Sequence, residues 1–284
     1  MQIRPLAGLD VSVLGLGTGR LASLGTRRSV SEVAALLAAA ADTGINFIDT
    51  ADTYGSGACE RMLGEALERF PARTFHVATK GGLAMVDLPG PLRIVNQPAK
   101  KLLVASGRRH GVGPESIRRR IEASRRRLRR DTLDVWFLHA PPLEALRDEQ
   151  LLDVLRSAST SGVVRHLGVS SDDGTVLAAA VDSGIFEVVQ TRSGPWPDSL
   201  HHIPVVANQV LTAATPALRT VARRVASETG LTETGVLLRS AAARSGTTTV
   251  VVGTADPSHL SEDAAAFATP VADVDRLDEA RPSS

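Results

Sequence analysis

Four polar residues whose types suit acid–base chemistry stand at or just after the ends of three consecutive strand-like segments. Asp49 closes the first segment and Tyr54 lies in the loop after it, whereas Lys80 and His139 close the next two. The carboxyl ends of parallel strands share one face of a barrel, and enzymes with that fold place their active sites there. Each residue alone has a structural alternative, such as a capped turn or a solvated amine. Their shared position predicts that they converge on one pocket.

Together these residue types are suited to moving a proton to or from a carbonyl oxygen. Tyr54 is the one tyrosine in the chain, and a phenol with a pKa of about 10 is a weak donor at neutral pH. A nearby ammonium such as Lys80 would lower that pKa, and Asp49 would keep the ammonium charged. An imidazole holds the carbonyl oxygen beside the phenol while hydride reaches the carbon. No side chain supplies hydride, so this chemistry requires a nicotinamide cofactor.

Strand-like runs alternate with amphipathic helical stretches along the whole chain, without a linker or a compositional break. The predicted strands cover residues 11–16, 45–48, 74–79, 133–138, 164–169, 186–190, 203–207 and 247–252. The predicted helices cover residues 29–42, 58–70, 114–130, 147–160, 174–183, 216–228, 232–243 and 257–266. About eight such units favour one α/β domain over residues 1–284, a (β/α)8 TIM barrel, with an open doubly wound sheet as the alternative. The glycine cluster 15–19 lacks the third glycine and the immediate helix of a dinucleotide fingerprint.

Two stretches depart from this alternation. Residues 81–113 have no clear periodicity and several basic side chains. They predict either a solvated loop or a lid over an anionic substrate, because long loops are usually functional or disordered. Between Gln190 and Ile203, Pro195 and Pro197 leave no room for a full helix, so we expect one barrel helix to be shortened or missing.

Composition excludes several other classes of function. The 284 residues carry 32 Lys and Arg against 31 Asp and Glu, so no overall charge attracts nucleic acid or an anionic membrane. The basic segment 118–130 has one apolar face and no aromatics, which indicates a solvated barrel helix. The apolar run 33–41 is far shorter than the roughly 18 residues of a membrane span. A single cysteine, Cys59, and a start without a signal-peptide pattern predict a cytoplasmic protein without disulfide or metal site. Nothing indicates an obligatory protein partner.

The segments that carry the four residues resemble the aldo-keto reductase superfamily. Residues 45–55, Ile-Asn-Phe-Ile-Asp-Thr-Ala-Asp-Thr-Tyr-Gly, are similar to that family's Asp and Tyr signature. Residues 78–80 are similar to its Lys motif and residues 133–139 to its His motif. Residues 165–170 are similar to the segment that leads into the nicotinamide-binding strand end. The resemblance extends over about residues 13–263, nearly the whole chain.

The resemblance implies a cofactor and a role for each residue. Tyr54 would be the general acid in carbonyl reduction and the base in alcohol oxidation. Lys80 and Asp49 would tune it, and His139 would orient the carbonyl. The cofactor would be NADP(H) or NAD(H), bound by Gly17, Thr18, Asp49, Ser170, Ser171, Gln190, Asn208, Gly253, Thr254, His259 and Asp263. Among these positions, residues 253–257 and the following helix match the loop that cradles the adenosine-side phosphates.

Several positions depart from the family's pattern. Ser171 stands where many members have Asn, and Asn208 stands where many place an aromatic that stacks on the nicotinamide. Gly253 and His259 occupy the places of a Lys and an Arg around the 2′-phosphate, and Asp263 that of an Asn. The choice between NADP(H) and NAD(H) is therefore open, with NADP(H) favoured only by its frequency in the family.

The sequence thus predicts an oxidoreductase that interconverts an aldehyde or ketone and the corresponding alcohol. Because the chain is poor in aromatics that stack on flat substrates, the small-molecule substrate is expected to be sugar-like or a natural-product intermediate. Two alternatives stay open. One is a nicotinamide-binding redox sensor or accessory protein without significant turnover, and the other is a barrel with isomerase or lyase chemistry and no nicotinamide.

Overall fold

Eight parallel strands close into a barrel in the computed structural model, which describes residues 1–22, 28–84, 110–194, 196, 200 and 202–268. In chain order the strands are β1 (Ile3–Leu6), β2 (Leu9–Ser12), β3 (Leu14–Gly17), β4 (Phe47–Asp49), β5 (His76–Gly81), β6 (Leu133–His139), β7 (Val164–Ser170), β8 (Val188–Arg192), β9 (Val205–Asn208) and β10 (Thr247–Gly253). Strands β3 to β10 neighbour one another in this order, and β10 closes the barrel against β3. The predicted (β/α)8 architecture is confirmed.

Helices follow the barrel strands, and every helix predicted from the sequence is present with its ends displaced by a few residues at most. They are α1 (Val30–Asp42), α2 (Ala58–Leu67), α3 (Pro114–Leu128), α4 (Glu149–Thr160), α5 (Gly174–Asp182), α6 (Val210–Ala213), α7 (Pro216–Thr229), α8 (Glu233–Ala242) and α9 (Pro257–Ala268). Helix α1 begins at a capping box: the Ser29 hydroxyl accepts from the N–H of Glu32, whose carboxylate accepts from the N–H of Ser29. None of the described helices is long and apolar enough to cross a membrane.

An N-terminal hairpin precedes the barrel, whereas the sequence predicted a single strand over residues 11–16. Strand β2 pairs antiparallel with β1, and the chain then enters the barrel as β3. Ala7 and Gly8 both have positive φ in the two-residue turn, as hairpins with this loop length require. Leu6 and Leu9 pack with Phe47 at the beginning of β4. The hairpin therefore covers the strand beginnings, which are opposite the predicted site.

The connections predicted to be irregular are described only in part. Residues 85–109 of the expected loop 81–113 lie outside the described residues, so the prediction of a lid stays a prediction. The described ends of that loop are held together by an antiparallel bridge between Leu83 and His110. Residues 195, 197–199 and 201 of the connection between β8 and β9 also lie outside the described residues. Helix α6, which follows β9 directly, was not predicted.

The basic helix α3 was predicted to present its arginines to solvent, and for two of them this is wrong. Arg120 binds the carboxylate of Asp52 at 2.6 Å, and Arg127 binds that of Glu60 at 2.6 Å. Both carboxylates are fully buried beneath the site. The two arginines turn inward because a buried charge without a partner is costly. Arg118 and Arg126, by contrast, are exposed as predicted.

Candidate active site

The barrel register brings the four predicted catalytic residues to one cavity. Asp49 ends β4, Lys80 lies near the end of β5, and His139 ends β6, while Tyr54 lies in the loop after β4. Neighbouring strands pair in parallel, so these ends lie side by side at the same rim of the barrel. All four side chains line a cavity of about 400 Å³, which is within the usual size range of small-molecule sites.

A buried ion pair forms the floor of this cavity. The Lys80 Nζ lies 2.7 Å from both carboxylate oxygens of Asp49 and donates to the backbone oxygen of Thr50 at 2.8 Å. The side chains of Lys80 and Asp49 are only 2% and 5% exposed. Burial alone would lower the pKa of Lys80, but Asp49 and then Tyr54 outweigh burial and raise that pKa. The lysine therefore stays an ammonium in a dry position.

Tyr54 lies above this ion pair, with the Lys80 Nζ 5.3 Å from its ring centroid. Its backbone is held by a hydrogen bond from its N–H to the oxygen of Ala51. On the other side the ring faces Gly19, where an added Cβ would lie 3.6 Å from the Tyr54 Cε2. The loop after β3 therefore lies against the ring at van der Waals distance.

The pKa of Tyr54 moves in the direction opposite to the one predicted. The charge of Lys80 lowers the pKa of the phenol, but burial and the negative charge of Asp49 raise it, and the net shift is upward. The sequence included Asp49 only as the group that keeps the ammonium charged, and it gave no measure of the burial of the phenol or of the effect of the carboxylate on its pKa. With a raised pKa the phenol is protonated at neutral pH, which is the state that a proton donor needs.

Asp49 also begins a chain of hydrogen bonds across the barrel. Its Oδ1 accepts from the Gln190 Nε2 at 2.8 Å, and the Gln190 Oε1 accepts from the Ser170 Oγ at 2.9 Å. Thr18 also stabilises the end of β4, because its N–H and its hydroxyl both donate to the backbone oxygen of Asp49. Thr18 and Gln190, both predicted to bind the cofactor, thus also bind Asp49. Ser170 is connected to Asp49 through Gln190.

The structure separates the predicted cofactor-binding residues into two groups. The cavity is lined by six of them besides Asp49, namely Gly17, Ser170, Ser171, Gln190, Asn208 and Gly253. Thr18, Thr254, His259 and Asp263 are not on its wall. The Oδ1 of Asn208 is buried and accepts from no donor among the described residues. A buried acceptor of this kind fits the carboxamide N–H of a nicotinamide, so the residues present fit the implied cofactor.

The segment after β10 is more acidic than the resemblance implied. At the start of α9 the Asp256 carboxylate accepts from the N–H and the hydroxyl of Ser258, and these hydrogen bonds lower its pKa. Further along, burial and the neighbouring Glu262 raise the pKa of Asp263 to about 6, while His259 opposes the shift. Residues 253–268 contain no lysine or arginine. The segment expected to bind phosphates therefore contains carboxylates and no cationic lysine or arginine of its own.

Sequence reasoning missed four polar residues on the cavity wall: Arg20, Asp172, Gln209 and Thr212. Asp172 accepts from the backbone and the guanidinium of Arg192 and, at 3.3 Å, from the Gln209 amide. Asp172 follows the end of β7 by two residues, and Gln209 follows β9 directly. Their positions after strand ends were the signal that would have found them.

Comparisons with known proteins agree with this architecture. The family model described as the Aldo/keto reductase family matches residues 13–210. A 6-dehydroglucose reductase from Novosphingobium aromaticivorans is 35% identical over 61% of this chain and 52% of its own length. A D-threo-aldose 1-dehydrogenase from a Pseudomonas species is 31% identical over 64% of this chain and 57% of its own length. The matched region thus spans about half the length of these relatives.

Solved structures show the same fold over nearly the full chain. The holo form of an aldo-keto reductase from Bacillus halodurans superimposes with a TM-score of 0.76 at 18% identity, covering 100% of this chain and 97% of the other. An aldo/keto reductase from Klebsiella pneumoniae, in complex with NADP and acetate, gives a TM-score of 0.75 at 22% identity, covering 98% and 94%. Together with the family match over most of the sequence, these findings establish that the chain belongs to the aldo/keto reductase family.

Proposed function

We propose that this protein is an NAD(P)H-dependent oxidoreductase that interconverts an aldehyde or ketone and the corresponding alcohol. The observation that carries the proposal is the convergence of Tyr54, the buried Lys80–Asp49 pair and His139 on one cavity. Aldo-keto reductases use nicotinamide cofactors of this kind, and the family match supports the same cofactor here.

In the proposed reaction the carbonyl oxygen of the substrate lies between the phenol of Tyr54 and the imidazole of His139. A bound nicotinamide supplies hydride to the carbonyl carbon in reduction and accepts it in oxidation. Tyr54 breaks its O–H bond and gives the proton to the substrate oxygen, which becomes the alcohol hydroxyl. The resulting phenolate is stabilised by the Lys80 ammonium, whose charge Asp49 maintains. Oxidation reverses each of these proton movements.

The cavity wall offers polar groups for the cofactor, and one of them, Ser170, lies beside His139 in the pairing of β6 with β7. Ser170, Gln190 and the unpartnered Oδ1 of Asn208 are placed to bind the nicotinamide amide. Gly17 keeps the wall open at the end of β3, where an added Cβ would lie only 2.9 Å from the Val251 side chain. Stacking by an aromatic is absent at Asn208, so hydrogen bonds carry the orientation of the ring.

A sugar-like substrate is the proposed substrate class. The relatives whose names describe a dehydroglucose reductase and an aldose dehydrogenase support it. The cavity rim also supports it, because Asp172, Gln209 and Thr212 present acceptors and donors to a polyhydroxylated compound. Hydroxyl groups are recognised by such side chains rather than by flat apolar walls.

The test is a panel of aldoses, ketoses and small aldehydes, with oxidation of NADH and NADPH followed by their absorbance at 340 nm. The proposal expects turnover of at least one sugar-like carbonyl compound. If the protein binds the cofactor but oxidises it with no member of a broad panel, the redox-sensor alternative replaces the enzyme. Failure to bind any nicotinamide nucleotide favours the isomerase or lyase alternative.

A further inference from the structure

Four fixed charges line the cavity among the residues that the structure describes, and three of them are neutralised within the protein. Lys80 and Asp49 form the buried pair of the floor. Asp172 at the rim is bound by the guanidinium of Arg192 at 3.0 Å. The fourth charge is Arg20.

Arg20 has no ion pair or hydrogen bond to any described residue through its guanidinium, and its side chain is exposed at the cavity mouth. It follows β3 in the loop whose Gly19 faces the Tyr54 ring, with 3.6 Å between a Cβ built on that glycine and the ring Cε2. Arg20 therefore lines the same cavity as Tyr54 and is adjacent in sequence to the glycine that faces the ring. A free cation at the mouth of a site raises the local concentration of anionic ligands.

The other place expected to bind an anion is already satisfied by the protein. The first turn of α9 would offer backbone N–H groups to a phosphate. There the carboxylate of Asp256 accepts from Ser258 at 2.9 Å and 2.7 Å. A second anion would meet this carboxylate and the nearby Asp263 without any lysine or arginine in residues 253–268.

We propose that Arg20 binds an anionic oxygen group, a phosphate or a carboxylate, of the ligand that occupies this cavity. The inference rests on the proposed function, which places a dinucleotide and a carbonyl compound there. Two sources offer this chemistry: the diphosphate of the dinucleotide, and an acidic substituent on the substrate. Arginine suits both, because its planar guanidinium group donates two parallel hydrogen bonds to a phosphate or a carboxylate.

Calorimetric titration of Arg20→Gln tests the first source without any need for turnover. If the diphosphate is the ligand, NADH binds about tenfold more weakly than to the wild type, the loss of one charge-assisted hydrogen bond. Reduced nicotinamide riboside, which has the same ring and no phosphate, binds equally to both proteins. Arg20→Lys keeps the charge and recovers part of the affinity. The control is Arg118→Gln, because Arg118 is exposed on α3 and pairs with Glu115 outside the cavity.

Steady-state kinetics test the second source with two aldehydes of similar size. If the substrate provides the anion, Arg20→Gln lowers kcat/KM about tenfold for succinic semialdehyde and leaves butyraldehyde unchanged. An unchanged NADH affinity together with unchanged kcat/KM for both aldehydes overturns the proposal for Arg20. In that case wild-type turnover would still support the proposed function. If the protein binds the cofactor but turns over no substrate, the proposed reaction is contradicted. The NADH affinity of Arg20→Gln, measured by calorimetry, then decides the proposal for Arg20.

Discussion

The centre formed by Asp49, Lys80 and Tyr54 and the segment 253–268 lie on the same barrel, yet they differ in their charges. In the centre the ammonium and the carboxylate neutralise each other at 2.7 Å. The segment contains Asp256 and Asp263 and has no lysine or arginine. Because its charges balance, the centre suits a neutral carbonyl group. The acidic segment, by contrast, is electrostatically unfavourable for an additional phosphate.

The difference follows from what positions each region. The centre is fixed by strand register, since Asp49 pairs with Ala78 of β5 and Lys80 pairs with Phe137 of β6. A change of register would disrupt the whole barrel. The segment is a loop and the start of a helix, where side chains change without altering the fold. Catalytic geometry is therefore carried by the fold, and cofactor electrostatics are set locally.

The largest effect is expected from Tyr54→Phe, which removes the proposed proton donor and keeps the ring. We expect kcat for carbonyl reduction to fall about 10²–10⁴-fold, the usual contribution of general acid catalysis. The affinity for NADH, measured by fluorescence titration, should stay within twofold of the wild type. Turnover that survives within a few-fold would show that the phenol is not the acid.

The buried ion pair predicts a large effect on stability. Lys80→Met leaves the Asp49 carboxylate buried without its cation, so we expect the free energy of unfolding in urea to fall by about 3–5 kcal/mol. The double variant Lys80→Met/Asp49→Asn removes both charges and should recover part of that loss. A double variant no more stable than the single one would contradict the view that the uncompensated charge is the cause. The exposed pair Arg118–Glu115 provides the control, since its removal is worth about 1 kcal/mol at most.

The acidic segment predicts tighter binding of NADH than of NADPH, by about tenfold, if the 2′-phosphate lies where the resemblance implies. Asp263→Asn removes a carboxylate and should therefore bring the ratio of the NADPH and NADH dissociation constants closer to one. Asp153→Asn, on the exposed surface of α4, is the control. The pKa of Asp263 is raised to about 6, so the carboxyl is ionised at pH 7.5 and largely protonated at pH 5. The ratio in the wild type should therefore also narrow as the pH falls. Calorimetry with both nucleotides at the two pH values measures it, and an equal or reversed preference would contradict the account.

A smaller effect is expected from Asp52, which lies buried beneath the centre. Burial raises its pKa to about 6, although Arg120 opposes the shift. The ordinary value in an unfolded chain is about 4. Between these values the folded state binds the extra proton, so the contribution of Asp52 to stability rises as the pH falls from 7 to 4. We therefore compare the Tm of Asp52→Asn with that of the wild type at each pH. The difference, variant minus wild type, should be about 2–4 °C more positive at pH 7.5 than at pH 5. An equal difference at both pH values would refute this.

The sequence predicted the barrel, the three residues of the centre and His139 because all of them depend on local patterns. Alternating runs identify the strands, and polar residues at strand ends identify the rim. The hairpin of β1 and β2 was missed because residues 11–16 were interpreted as one strand. The chain breaks between β2 and β3 after Ser12 because Leu6 and Leu9 of the hairpin pack against the beginnings of the barrel strands. This tertiary contact is not visible in the sequence.

Electrostatic partners could not be predicted because they are distant in sequence. Asp52 and its partner Arg120 are 68 positions apart, and Gln190 lies 141 positions from Asp49. A charged residue on a helix therefore gives no sign of whether it faces solvent or a buried carboxylate. The predicted direction of the Tyr54 pKa was wrong because the sequence shows neither the burial of the phenol nor how strongly Asp49 acts on it.

The central claim is that hydride from a nicotinamide and a proton from Tyr54 reach the same carbonyl group. Its most direct test uses NADH deuterated at both C4 positions, a carbonyl compound that the panel identifies as a substrate, and mass spectrometry of the alcohol. The account predicts one deuterium on the carbinol carbon with the wild type and almost no product with Tyr54→Phe. An alcohol without deuterium, or labelled product formed equally well by both proteins, would contradict it.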